Sequence, residues 1–103
     1  MEISAFKMQL KKGYEAEYKK RHDEIWPELQ ALLRADGVAD YYIFLDEETN
    51  ILFAYMAKDA VAGSAPLSDH PLMKKWWAYM KDIMESNPDN SPVTRPLKQV
   101  FHL

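Results

Sequence analysis

No cysteine occurs among the 103 residues. That excludes disulfides, thiol nucleophiles and thiolate metal sites. Neither sign of charge dominates: 13 basic residues are interleaved with 16 acidic ones, for a net charge of −3. Without a basic stripe, no nucleic-acid partner is expected. The one basic cluster, Lys19-Lys20-Arg21, is balanced by Glu15, Glu17, Asp23 and Glu24 and reads as a solvated helix face. Long apolar runs are missing too. No stretch approaches the roughly 20 residues that cross a bilayer, and the first twenty residues lack the apolar core of a signal peptide. A soluble cytoplasmic protein without a membrane partner is expected. Also absent are a phosphate loop, a nucleophile elbow, a dinucleotide fingerprint and the His-Glu-x-x-His pattern, and no histidine has another three or four residues away. No metal centre is expected.

What is present is ordinary globular usage, 48% hydrophobic and 28% charged, enough for one domain over 1–103 with one modest core. Residues 3–11 alternate, with Phe6, Met8 and Leu10 opposite Ala5, Lys7 and Gln9, and predict a strand closed by Lys12 and Gly13. From Tyr14 to about Ala35 the period becomes helical. Pro27 predicts a kink or restart inside that helix, and Asp36-Gly37 ends it. Residues 40–46 and 51–57 read as a hairpin joined by a short loop containing Asn50. Residues 58–68 read as a loop or broken helix. A second helix follows, with Ser68 or Asp69 as its N-cap and Pro71 in its first turn, and a last strand is expected over 97–103. The order β-α-β-β-α-β predicts an α+β, ferredoxin-like antiparallel sheet with two helices on one face.

Both faces of the hairpin are apolar. Tyr41, Ile43 and Leu45 line one side, with Tyr42 and Phe44 on the other; Ile51, Phe53 and Tyr55 oppose Leu52, Ala54 and Met56. Two helices cover only one face, and monomers rarely leave such a patch open. A second copy packed sheet to sheet is therefore expected, against the alternative of a monomer with an apolar pocket floor.

Three histidines are present. His102 reads as solvated, and His70, before Pro71, as a cap or packing group. His22 shares a helical face with Tyr18, Ile25 and Leu29, and two readings stand: a core histidine satisfied by a tyrosine or carbonyl, or a site residue. The pair Trp76-Trp77 likewise admits two readings. Adjacent helical residues diverge by about 100°, so Trp76 falls mid-arc with Leu72, Tyr79, Met80 and Ile83, and Trp77 falls at its edge. They are core and rim, or a platform for a sugar's C–H faces.

The stretches AFKMQL, EYKKRHDEIWPEL, DYYIFLD, MKKWWAYMKDIM and NPDNSPV…FHL together resemble the L-rhamnose mutarotase family. The match runs in order over nearly the whole chain and is weakest over 58–68. The resemblance implies an intracellular enzyme that interconverts the α and β anomers of L-rhamnose. It implies a homodimer of ferredoxin-like subunits, a dimeric α+β barrel, with no metal and no organic cofactor. The family's proton donor falls on His22. Its sugar-binding tyrosines fall on Tyr18 and Tyr41, and its tryptophan pair on Trp76 and Trp77. Mutarotation needs one proton delivered to the ring oxygen and one removed from the anomeric hydroxyl, and a group titrating near pH 6.5 suits that work. His22 is assigned as acid to the ring oxygen. For the base, Tyr41, a water and His22 itself remain open. The fold alone also admits a cofactor-free monooxygenase, another dimeric α+β barrel enzyme or a non-catalytic sugar-binding module; L-fucose or L-mannose are alternative sugars.

Overall fold

The alternation of residues 3–11 produces the first strand of a four-stranded antiparallel sheet. In a computed structural model describing residues 1–59 and 66–103, β1 (Glu2–Gln9) is followed by α1 (Glu15–Asp23), α2 (Pro27–Ala35), β2 (Val38–Asp46), β3 (Ile51–Lys58), α3 (Pro71–Met80) and β4 (Arg95–Pro96). A single 3-10 turn, Leu67–Asp69, precedes α3. The strand order is β2-β3-β1-β4, the sheet expected of a β-α-β-β-α-β chain whose first helix is split in two. The part of the 58–68 expectation that falls on residues 60–65 lies outside the described residues.

Pro27 explains the split. A residue before proline is driven to extended backbone, and Trp26 sits at φ −58°, ψ 129°. Pro27 then occupies the first position of α2, where its missing N–H costs nothing. The chain therefore turns between α1 and α2, instead of running one helix to Ala35. Asp36 ends α2, and Gly37 takes φ 95°, a left-handed conformation that glycine adopts without steric cost. Asn50 closes the hairpin at φ 59°, while Asp46 accepts hydrogen bonds from Glu48 N at 3.0 Å and Thr49 Oγ1 at 2.9 Å.

The start of α3 differs from the sequence expectation. Its N-cap is not Ser68 or Asp69 but His70, in the capping role that was one of its two sequence readings: Nδ1 accepts from Leu72 N at 3.1 Å. Ser68 and Asp69 are taken up by the 3-10 turn. The last strand differs more. β4 holds only Arg95 and Pro96, and after Leu97 N donates to Ala5 O at 2.8 Å no regular pairing covers residues 98–103. Proline contributes no N–H to a ladder, and beyond Ala5 only Glu2, Ile3 and Ser4 of β1 remain to pair with.

The register places Phe6, Ala54 and Ile43 side by side, then Met8, Leu52 and Leu45. This face meets Leu29, Trp76, Met80 and Ile83 in a single core. All helices lie on it. The opposite face carries Tyr42, Tyr55, Phe44 and Phe53 in adjacent register positions, and all four are exposed. The two-sided pattern expected from the sequence is therefore present. No described helix is long and apolar enough to cross a membrane.

Candidate functional site

Between the helices and the inner face of β2 lies a cavity of about 780 Å³, reached by Tyr18 and His22 of α1, Leu29 and Leu33 of α2, Tyr41, Ile43 and Leu45 of β2, and Met73 and Trp76 of α3. Glu15, Lys19, Asp23 and Glu47 add charge to an otherwise apolar lining. A smaller recess of about 70 Å³ shares Tyr18, His22, Tyr41 and Trp76 with the cavity, and Trp77, Ser86 and Asn90 also line it.

His22 is held on three sides. Its Nδ1 hydrogen-bonds the Tyr18 carbonyl one helical turn earlier, at 3.0 Å. A carbonyl only accepts, so Nδ1 carries a proton. The Tyr18 ring stacks on the imidazole at 4.2 Å between centroids, and Trp76 meets it edge-on at 5.5 Å and 86°. Nε2 has no protein partner among the described residues, yet it is not sealed away. Burial lowers the His22 pKa below 6.5, and the hydrogen bond to the Tyr18 carbonyl opposes that shift.

The two phenols behave differently. Burial raises the Tyr18 pKa, and the nearby Tyr41 phenol raises it further. Burial alone pushes Tyr41 up to about 12. Both are neutral hydroxyls at physiological pH, able to donate and accept but not to act as standing phenolates. The Tyr18 side chain is buried, and its hydroxyl finds no protein partner among the described residues. The Trp76 indole N–H is likewise unpaired there. Three polar groups without protein partners among the described residues thus meet around one cavity, and none of them is sealed from solvent. A hydroxyl-rich ligand would satisfy all three.

The elements that aim these groups are tied together away from the cavity. Arg21, one residue before His22, has a side chain only 10% exposed. Its guanidinium makes a paired contact with Asp82, at 2.9 and 3.1 Å, and donates to the Tyr79 carbonyl at 2.7 Å. It also bonds Glu17 at 2.8 Å and lies 4.4 Å over the Tyr79 ring. This corrects the reading of Lys19-Lys20-Arg21 as uniformly solvated: Lys19 and Lys20 are exposed, whereas Arg21 fastens α1 to the end of α3. Asp82 holds the Arg21 charge in place, and Arg21 in turn lowers the Asp82 pKa. At the other end of α1, Glu15 accepts from Asn50 Nδ2 at 3.0 Å and so joins the helix to the hairpin turn.

Of the residues singled out from the sequence, Tyr18, His22, Tyr41 and Trp76 come together on the cavity. Trp77 does not reach it and contributes only to the small recess. His22 fits neither sequence reading alone: a carbonyl satisfies one ring nitrogen, and the other is free. Trp26 was not anticipated. It stands edge-on to Trp76 at 5.1 Å and stacks on Tyr79 at 5.6 Å, so it fixes the plane of Trp76 from behind. Met73 was also missed, although its place three residues before Trp76 puts both on one helical face. Ser86 and Asn90 lie in an irregular segment, where no periodicity points to them.

A family model described as L-rhamnose mutarotase matches residues 4–103. The L-rhamnose mutarotase of Agrobacterium fabrum is 63% identical over 103 residues, covering 100% of this chain and 96% of that protein. That of Bacteroides thetaiotaomicron is 59% identical over 103 residues, with 100% and 99% covered. The crystal structure of L-rhamnose mutarotase from Formosa agariphila superposes with a TM-score of 0.94 at 50% identity, covering 100% of this chain and 99% of that one.

Proposed function

Because the chain belongs to the L-rhamnose mutarotase family, we infer that it interconverts the α and β anomers of L-rhamnose by acid–base proton transfer. The observation that carries the chemistry is the free Nε2 of His22 beside two neutral phenols and an indole N–H in one cavity. Opening the pyranose breaks the C1–O5 bond. O5 gains a proton, the anomeric hydroxyl loses one, and the aldehyde then rotates and recloses on its other face.

In this reading His22 is the catalytic residue and delivers its proton from Nε2 to O5. On closure it takes the same proton back. Its lowered pKa makes the imidazolium a stronger acid, though a scarcer one, above pH 6.5. The Nδ1–H bond to the Tyr18 carbonyl keeps the ring aimed while Nε2 cycles. Tyr18 and Tyr41 hold sugar hydroxyls, and Trp76 offers its indole as a wall for the C–H face. Trp77 acts at the inner recess. Since the raised phenol pKa values make Tyr41 a poor base at rest, a water beside the anomeric hydroxyl takes the second proton.

We place the protein in the cytoplasm, where free L-rhamnose would meet it. We also propose that it works as a homodimer joined through the open sheet face, a dimeric α+β barrel. Tyr42 at 52% exposure and Phe44 at 63% are too apolar for a face left in water. The activity is tested by saturation transfer between the two anomeric proton signals of L-rhamnose. Catalytic amounts of protein should speed the exchange, and an unchanged exchange rate would overturn the inference. L-fucose and L-mannose, run alongside, rank the sugar preference.

A further inference from the structure

The run NPDNSPV, residues 87–93, has no part in the proton transfer described above. It forms a small hairpin after α3. Ser86 bridges Pro92, Asn87 N donates to Ser91 O at 2.7 Å, and Val93 N donates to Glu85 O at 3.1 Å. Asn90 N closes the turn on Asn87 O at 2.9 Å, with Pro88 at the second position, where its fixed φ is suited. The hairpin is pinned to the sheet beside it: Glu85 N donates to Gln9 O at 3.0 Å, and Leu10 bridges Met84. A three-residue loop of this kind puts its last residue in the left-handed conformation, a position commonly given to glycine. Here that residue is Asn90, at φ 73°.

The loop's other polar side chains are engaged close to home. Asn87 Nδ2 donates to Ser91 Oγ at 3.1 Å, Ser91 N donates to Asp89 Oδ1 at 3.0 Å, and Ser86 Oγ donates to Met84 O at 3.2 Å. The Asn90 carboxamide has no protein partner among the described residues, and it is not sealed away. Asn90 lines the recess of about 70 Å³ that shares Tyr18, His22, Tyr41 and Trp76 with the main cavity. At that size the recess takes one edge of a hexose seated in the cavity; sites for a whole ligand run to roughly 300 Å³ or more. The carboxylates of the larger cavity, Glu15, Asp23 and Glu47, do not line it.

We propose that Asn90 is a further sugar-binding residue, whose carboxamide bridges two neighbouring hydroxyls of L-rhamnose away from the anomeric carbon. This rests on the sugar-site reading given above and deepens it by naming the group that reads that edge of the ring. The other groups leave the role open. The Trp76 indole N–H only donates, and so does the Nε2 of a protonated His22. A carboxamide sets an uncharged acceptor beside two donors in one plane, which matches a pair of adjacent hydroxyls. It does not titrate, so it holds the sugar without entering the proton exchange at His22. Nor does the turn itself need the side chain, since glycine adopts this backbone at no steric cost.

Asn90→Gly tests this, because glycine keeps φ 73° without strain while the carboxamide is lost. Circular dichroism and thermal melting should match wild type. The Kd of L-rhamnose, read from tryptophan fluorescence, should rise about tenfold. Titrations with the 2-, 3- and 4-deoxy forms of L-rhamnose then separate a direct contact from a change of shape. Any adjacent pair among the hydroxyls at C2, C3 and C4 includes that at C3. The penalty should therefore shrink for the 3-deoxy sugar and for one of the other two, and stay about tenfold for the last. Unchanged binding of L-rhamnose, or an equal penalty for all four sugars, would overturn the proposal. Should Asn90→Gly not fold, Asn90→Asp, which tolerates the same φ, enters the same comparison, and an effect independent of the 3-hydroxyl would again overturn it. The activity reading fails separately: wild type would bind L-rhamnose without speeding its anomeric exchange.

Discussion

At the scale of the residue, proton transfer depends on one imidazole with one nitrogen engaged and one free. Periodicity marked His22 as a polar residue within an apolar stripe, and that much was legible. It did not reveal which nitrogen was occupied, because the Tyr18 carbonyl that fixes it is backbone. The lowered pKa sets the pH dependence. If the imidazolium supplies the proton, kcat/KM is level below that pKa and falls about tenfold per pH unit above it. The falling limb therefore begins below pH 6.5, the ordinary histidine value. A profile that instead declines toward acid pH would make neutral His22 the working form. Tyr18→Phe separates the hydroxyl from the ring. The stack on His22 survives, so thermal stability should change little, while KM for L-rhamnose rises by roughly tenfold, the value of one hydrogen bond. An unchanged KM with a lower Tm would mark Tyr18 as structural.

At the scale of the element, α1 is the part that must not drift, because it carries both Tyr18 and His22. Its anchor is Arg21, whose charge run looked like ordinary solvated surface from sequence. Nothing in the spacing of Lys19-Lys20-Arg21 says that only the third member turns toward Tyr79 and Asp82. Arg21→Met keeps much of the stem but removes the hydrogen bonds. It should destabilise the fold by about 1.5–3 kcal/mol, a Tm drop of roughly 4–8 °C for each kcal/mol, and it should raise KM as α1 loosens from α3. Calorimetry with steady-state kinetics checks both. The helix break before Pro27 was legible because proline acts locally. The strand expected over 97–103 failed because Pro96 gives the ladder no N–H and only three residues of β1 remain beyond Ala5, a limit that local pattern does not show.

At the scale of the whole molecule, the strand and helix order was legible from the switch between alternating and helical periods, and the two-faced hairpin from alternation. The convergence of Tyr18, His22, Tyr41 and Trp76 was not, since it depends on how α1, β2 and α3 pack; the family motifs supplied those positions, and Trp26 and Met73 came only with the packing. The exposed aromatic face makes its own prediction. Phe44→Glu sets a carboxylate among Tyr42, Phe53 and Tyr55, and it should convert a sedimenting dimer to monomer without unfolding the domain; a dimer that survives would place the interface elsewhere. The most direct test of the account compares wild type with His22→Ala in the anomeric exchange of L-rhamnose, each protein first shown to be folded by circular dichroism. We predict that the variant loses about 10²–10⁴-fold in catalysed exchange, the usual contribution of a positioned acid–base group. Exchange by His22→Ala at the wild-type rate would contradict the claim that this imidazole moves the proton.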